Sequence, residues 1–87
     1  MSTISIFFGI LIRMYANEGI HVLPHFHVQH GDEEASVSFD GTILGGRLSR
    51  RTARLVREWA ALHQDELIAN WNRGREGEAF HRIAPLS

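Results

Sequence analysis

The sequence predicts an α+β domain: a three- to four-stranded antiparallel meander over about residues 4–45, with one long C-terminal helix packed on one face. Three observations predict it. Short apolar or alternating runs of strand length, separated by turn residues, fill the first half of the chain. Beyond Gly45-Gly46 the apolar residues recur at helical spacing instead. At 87 residues the chain is a single domain with a modest core, for which a partner or a dimer mate is a natural source of added stability.

The elements follow in order. Residues 4–8 are apolar and end at Gly9. Ile10 to Tyr15 reads as a strand, apolar on both faces except at Arg13. Ala16 to Pro24 is a connecting loop with Asn17 and Gly19 as turn residues. His25 to His30 is the second strand, closed by Gly31-Asp32. Glu34 to Phe39 is the third, with Ala35, Val37 and Phe39 on one face and Ser36 and Ser38 on the other. Asp40-Gly41 is a hairpin turn signal, followed by a short strand around Thr42 to Leu44 and a break at Gly45-Gly46. Ser49 is an N-cap. The helix is expected from about Arg50 to Trp71, with Leu48, Thr52, Leu55, Val56, Trp59, Leu62 and Leu67 on its apolar stripe. Gly74 and Gly77 end it, and an extended tail is expected over 80–84.

Composition excludes several function classes. The absence of cysteine rules out disulfides, thiolate metal sites and a cysteine nucleophile. No apolar run reaches the length of a membrane span, so no membrane partner is expected. No basic region precedes the first apolar residues, so a signal peptide is not expected and cytoplasm is the default location. A net charge of −1 gives the whole molecule no strong pull on nucleic acid. The distribution is more telling: Arg47, Arg50, Arg51, Arg54 and Arg57 crowd one segment without an acid. All nine basic residues are arginine, which suits bidentate phosphate contacts and is equally what a genome biased to arginine codons would give.

Pro24-His25-Phe26-His27-Val28 carries the strongest local chemical signal. Side chains alternate along a strand, so His25 and His27 share one face while Phe26 and Val28 anchor the other in the core. With one helix on the core side, the His face has no cover. Arg13 and Tyr15 share a face of their own strand, which joins the His face if Ile10, Ile12 and Met14 enter the core. Metal-free RNA cleavage needs a general base for the 2′-hydroxyl, a general acid for the leaving oxygen and a cation for the phosphate. His25, His27 and Arg13 are the right residue types for catalysis, with Tyr15, Arg47, Arg50, Arg51 and Arg54 as binding residues. A polar sheet face that meets a protein partner accounts for the same residues.

Two other constellations compete. His21, His25, His27 and His30 lie close in sequence, and imidazole suits Zn, Ni or Cu. On a regular strand His30 points away from His25 and His27, and no carboxylate is spaced to complete a ligand set, so neither a metal nor another cofactor is expected. The arginines at the helix start oppose the helix macrodipole, which invites an anion or a partner's carboxylates; a solvated helix face is the plainer account. His63, Glu66 and Asn70 fall on the apolar side of the helix, where polar groups need partners such as the chain termini.

The ordered set Thr3-Ile4-Ser5, Phe7-Phe8-Gly9-Ile10, Met14-Tyr15, Pro24-His25-Phe26-His27-Val28, Leu55-Val56, Glu58-Trp59, Leu62-His63, Glu66-Leu67 and Asn70-Trp71 resembles the bacterial domain of unknown function 4160 family, over nearly the whole chain. That resemblance implies a small cytoplasmic protein, often encoded beside a second small protein in a pair that looks like a toxin–antitoxin module. It implies a toxin-like component acting on RNA or translation, with a small antitoxin-like partner. The family usually has two prolines and a shorter loop before its His-Phe-His; here Leu23-Pro24 follows Ile20-His21-Val22, which implies a differently shaped loop beside the site. The alternatives are a non-enzymatic module that binds a neighbouring small protein and a histidine-based metal-binding protein.

Overall fold

The computed structural model describes residues 2–16 and 22–87. Among the described residues the chain forms a five-stranded antiparallel sheet: β1 (Ser2–Phe7), β2 (Ile10–Met14), β3 (His25–His30), β4 (Glu33–Ser38) and β5 (Ile43–Arg47), in that spatial order. Two helices follow, α1 (Arg50–Leu62) and α2 (Gln64–Arg75). The α+β class and the antiparallel meander agree with expectation. The strand count and the single helix do not.

Both ends of the sheet hold more strand than expected. The apolar N-terminal run turns back on itself and pairs with the next. Phe7 and Ile10 are register partners, and Phe8 and Gly9 both have positive φ (52° and 78°), the signature of a two-residue type I′ hairpin. At the other end the chain does not break at Gly45-Gly46. Gly46 adopts φ 83° and lies so close to β4 that a Cβ there would come within 2.2 Å of the Glu34 carbonyl oxygen. The glycines therefore let β5 hug β4, and the strand continues to Arg47, beyond the expected limit at residue 45.

The expected single helix is interrupted at His63, whose ψ of 31° leaves the helical region. Its N–H still reaches the Ala60 oxygen at 3.1 Å, and its carbonyl accepts from Leu67 N–H at 2.9 Å, so one helix ends and the next begins on the same residue. Asp65 and Glu66 in the first turn of α2 suit a helix start. The Gln64 side chain donates to the Phe39 carbonyl and ties this junction to the end of β4. α2 runs past Trp71 to Arg75 and closes in a Schellman turn: Gly77 has φ 74°, and Glu78 N–H donates to the Arg73 oxygen at 2.8 Å. Gly74 thus sits inside the helix, where a Cβ would come within 2.8 Å of the Phe80 ring.

The core lies between one sheet face and the helices. Ile4, Phe7, Ile10, Ile12, Met14, Phe26, Val28, Ala35 and Val37 meet Leu55, Val56, Trp59, Ala60, Leu67 and Trp71. Trp59 is fully buried at its centre, with its ring 5.6 Å from both Phe7 and Phe26. Leu62, assigned to the apolar stripe, is instead 67% exposed. The tail is not a strand, yet it is anchored. Ile83 N–H donates to the Ile4 carbonyl at 2.8 Å, and the Trp59 indole donates to the Ala84 carbonyl at 2.9 Å.

Ser49 caps α1 as its sequence suggested, its hydroxyl accepting from Thr52 N–H at 3.1 Å. The arginine-rich start also has its carboxylate from within the chain. Glu33 Oε1 accepts from Ser49 N–H at 2.7 Å, placing negative charge where the macrodipole favours it.

Candidate functional site on the open sheet face

Strand parity decides which side chains meet on the face away from α1. With Ile10, Ile12 and Met14 in the core, Arg13 stands on the opposite face with His25 and His27. Register aligns them into rows. Arg13 pairs with His27, His27 with Ser36, and Ser36 with Gly45. The neighbouring row is Leu11, Gln29, Glu34 and Arg47. Directly opposed residues bring their Cβ atoms within about 5 Å, so each row is a contact set.

The rings pack edge to face. Tyr15, just beyond β2, lies with its ring 4.4 Å from His27 at 88°, and His27 lies 5.0 Å from His25 at 72°. His25 Nδ1 is 2.8 Å from the Leu23 carbonyl. A carbonyl only accepts, so Nδ1 carries the hydrogen and Nε2 of the neutral ring is the basic nitrogen. Arg13 Nη1 donates to Gln29 Oε1 at 2.8 Å, which holds the guanidinium along the sheet.

A groove of about 280 Å³ runs beside this cluster, lined by Arg13, Tyr15, His27, Gln29, Glu34 and Ser36 with the backbone of Gly45 and Gly46. The glycines make the concavity: β5 presents no side chain where Gly45 faces Ser36, so the floor stays low. Sequence reasoning missed Gln29, Glu34 and Gly45, although strand parity already put Gln29 on the face of His25 and His27.

Not all expected residues gather here. His25, His27, Arg13 and Tyr15 come together, whereas Arg47, in register with Glu34, lines a separate hollow with Asp32, Glu33 and Ser49. Arg50, Arg51 and Arg54 are exposed on α1, on the far side of the sheet, where they line a separate shallow depression with Ala53 and Arg57. Ser38 is on the expected face, opposite His25, but it is buried there, and its hydroxyl donates to Asp40 inside the turn. The face is not wholly bare either. Trp71 of α2 reaches the end of the sheet, with its ring 5.4 Å from His25. The last turn of α2 lies close to the segment that follows β2: a Cβ on Gly74 would lie 3.7 Å from Ala16 Cα.

His30 turns to the helix side, its Nδ1 3.0 Å from the Thr52 hydroxyl, as its parity required. Among the described residues no three His, Cys, Asp or Glu side chains converge as a metal site would need. His21, part of the sequence-level metal reading, and the loop positions Asn17 and Gly19 lie outside the described residues. Among the described residues no helix is long and apolar enough to cross a membrane.

A family model described as Domain of unknown function (DUF4160) matches residues 9–72, which spans the His face, the groove and both helices up to Asn72. No curated protein and no solved structure matches the chain.

Proposed function

The chain belongs to the DUF4160 family, and on that premise we propose that it is the toxin-like component of a bacterial two-gene module, cleaving RNA at the open sheet face. The observation that carries this reading is the Arg13–His27–His25 cluster beside an open groove. Two imidazoles 5.0 Å apart and a guanidinium in register with one of them supply a base, an acid and a cation for one phosphodiester.

The chemistry needs only these groups. Nε2 of His25, left basic by the bond from Nδ1–H to Leu23, takes the proton of the ribose 2′-hydroxyl. The 2′ oxygen bonds to phosphorus, and the P–O5′ bond breaks. His27, entering as imidazolium, gives its proton to the departing 5′ oxygen. The products are a 2′,3′-cyclic phosphate and a 5′-hydroxyl. Arg13 stabilises the charge on the non-bridging oxygens, and Tyr15 stacks on a flanking base. Arg47, one row along the sheet, holds the next phosphate. Arg50, Arg51 and Arg54 lie away from the reacting groups, so their role is to receive an acidic surface of the antitoxin-like partner.

The test is incubation of the purified chain with a short single-stranded RNA in the presence of EDTA. Cyclic-phosphate ends are expected, and a strand carrying 2′-deoxy sugars should stay intact. An untouched ribose strand would end this reading.

A second reading has its own support. Among the described residues β5 is an outer strand, hydrogen-bonded on one side only, with Ile43 and Leu44 exposed. Such an edge accepts a strand from another protein, as a non-enzymatic binding module would use it. The doubly substituted His25→Ala/His27→Ala chain separates the two. Loss of cleavage with retained partner binding supports the enzyme; a chain that cleaves no RNA and loses its partner on Leu44→Asp at the β5 edge, but not on the His change, supports the module.

A further inference from the structure

The groove has a hydrogen-bonding wall distinct from the proton-transfer groups. Gln29 on β3 and Glu34 on β4 are register partners, and both line it. Arg13 donates to Gln29 Oε1 at 2.8 Å, which commits the carbonyl end of the amide and leaves its NH₂ as the donor offered to a ligand. The Glu34 carboxylate offers acceptors only. Side by side, the two residues present one donor and two acceptors. Tyr15 and His27 supply aromatic surface on the rim. At about 280 Å³ the groove falls just below the range of drug-sized pockets, about 300–1,000 Å³, and suits a single ring system.

We propose that this groove is a nucleobase subsite selective for guanine, deepening the RNA reading above, on which it rests. Guanine presents O6 as an acceptor and N1–H and N2–H as donors along one edge. Glu34 accepts both N–H groups, Gln29 donates to O6, and the base stacks against Tyr15. The other bases fail at named atoms. Adenine turns an unprotonated N1 toward the carboxylate, uracil turns O2 toward it, and cytosine turns both N3 and O2 toward it. Each leaves Glu34 facing an acceptor, which is the repulsive element that specificity requires.

Gly45 makes the subsite testable without touching a hydrogen-bonding residue. A Cβ at Gly45 would meet nothing within 4 Å, and its backbone is outside the left-handed region, so Gly45→Leu fits the strand while its side chain fills the groove.

The experiment titrates guanosine, adenosine, cytidine and uridine 5′-monophosphates into the full chain and follows backbone amides by NMR. The guanosine nucleotide is expected to shift Gln29, Glu34, Ser36 and Gly45 and to bind at least about tenfold tighter than the others. Glu34→Gln should erase that preference, and Gly45→Leu should abolish binding of all four. Equal affinities, or a preference that survives Glu34→Gln, overturns the subsite. Guanosine-selective binding by a chain that leaves RNA intact supports the subsite and ends the cleavage reading. Cleavage indifferent to base and unchanged in Glu34→Gln does the reverse.

Discussion

The side chain of Asn70 holds the backbone of His81 from both sides: Nδ2 donates to its carbonyl and Oδ1 accepts from its N–H, each at 2.9 Å. Asn70 is fully buried, and the same oxygen also accepts from Arg73 at 2.9 Å. One α2 side chain therefore does for the tail what a β-bridge would. The anchor fixes the approach of Ile83 to β1 and of Ala84 to Trp59.

Asn70→Ala removes all of those bonds and leaves a small void. The expected loss is about 2–3 kcal/mol, from unpaired polar groups at a buried position. Hydrogen exchange at His81 and Ile83 should accelerate most, because both amides depend on the anchored tail. A urea titration showing a loss under about 0.5 kcal/mol, the range of ordinary surface changes, would contradict the clamp.

Two adjacent glycines should respond in opposite ways. Gly46→Ala meets both a φ of 83° and a Glu34 oxygen 2.2 Å from the new Cβ. Strain of about 1–3 kcal/mol from the backbone alone is expected, and β5 must also move off β4 to relieve the clash. Gly45→Ala meets open space and should change stability by less than about 0.5 kcal/mol. Thermal melts of the two variants check this. Equal effects would mean that β5 does not lie against β4 in this register.

The β4–β5 turn should give stability a dependence on acid. The Ser38 hydroxyl and then the Thr42 N–H, at 3.0 Å, favour the charged form of Asp40 and hold its pKa below the ordinary 3.8. A lowered folded-state pKa contributes stability that is complete above the unfolded value and fades as pH falls through the folded one. Wild type should therefore exceed Asp40→Asn in urea midpoint at pH 7, and the gap should narrow below pH 3.8. A gap that stays constant down the whole acid range would remove the charge from the account.

How much of this was legible in the sequence depends on how local each cause is. Alternation about Phe26 and Val28 settled the face of His25 and His27, because parity is a property of adjacent residues. The Ser49 cap and the Asp40-Gly41 turn are equally local. The first hairpin was not legible, because Phe8 takes positive φ where a glycine or asparagine would announce it. The break at His63 was hidden by an apolar stripe that continues in step across it, while its tie, Gln64 to Phe39, is a long-range contact. Gly45-Gly46 looked like a terminator because a glycine's role in close strand approach is visible only once the neighbouring strand is placed. The groove, which rests on that approach, was invisible for the same reason.

The His cluster yields the functional prediction. His27 is half-buried and touches Tyr15 and His25 edge to face, so His27→Ala forfeits ring contacts worth about 0.5–1.5 kcal/mol each and should leave the domain folded. Loss of a proton-transfer group lowers rate by about 10²- to 10⁴-fold. Expression of the wild-type chain alone should then slow bacterial growth, and His27→Ala should relieve it while retaining a cooperative melt. Arg13→Lys keeps the charge but gives up the planar fork that meets two phosphate oxygens, so its activity should fall between wild type and His27→Ala. His25→Ala removes the imidazole aligned by Leu23 and should match His27→Ala, since neither proton transfer proceeds without the other. Unimpaired growth under strong wild-type expression, or undiminished toxicity in both His variants, would move the working surface away from this face and toward the β5 edge.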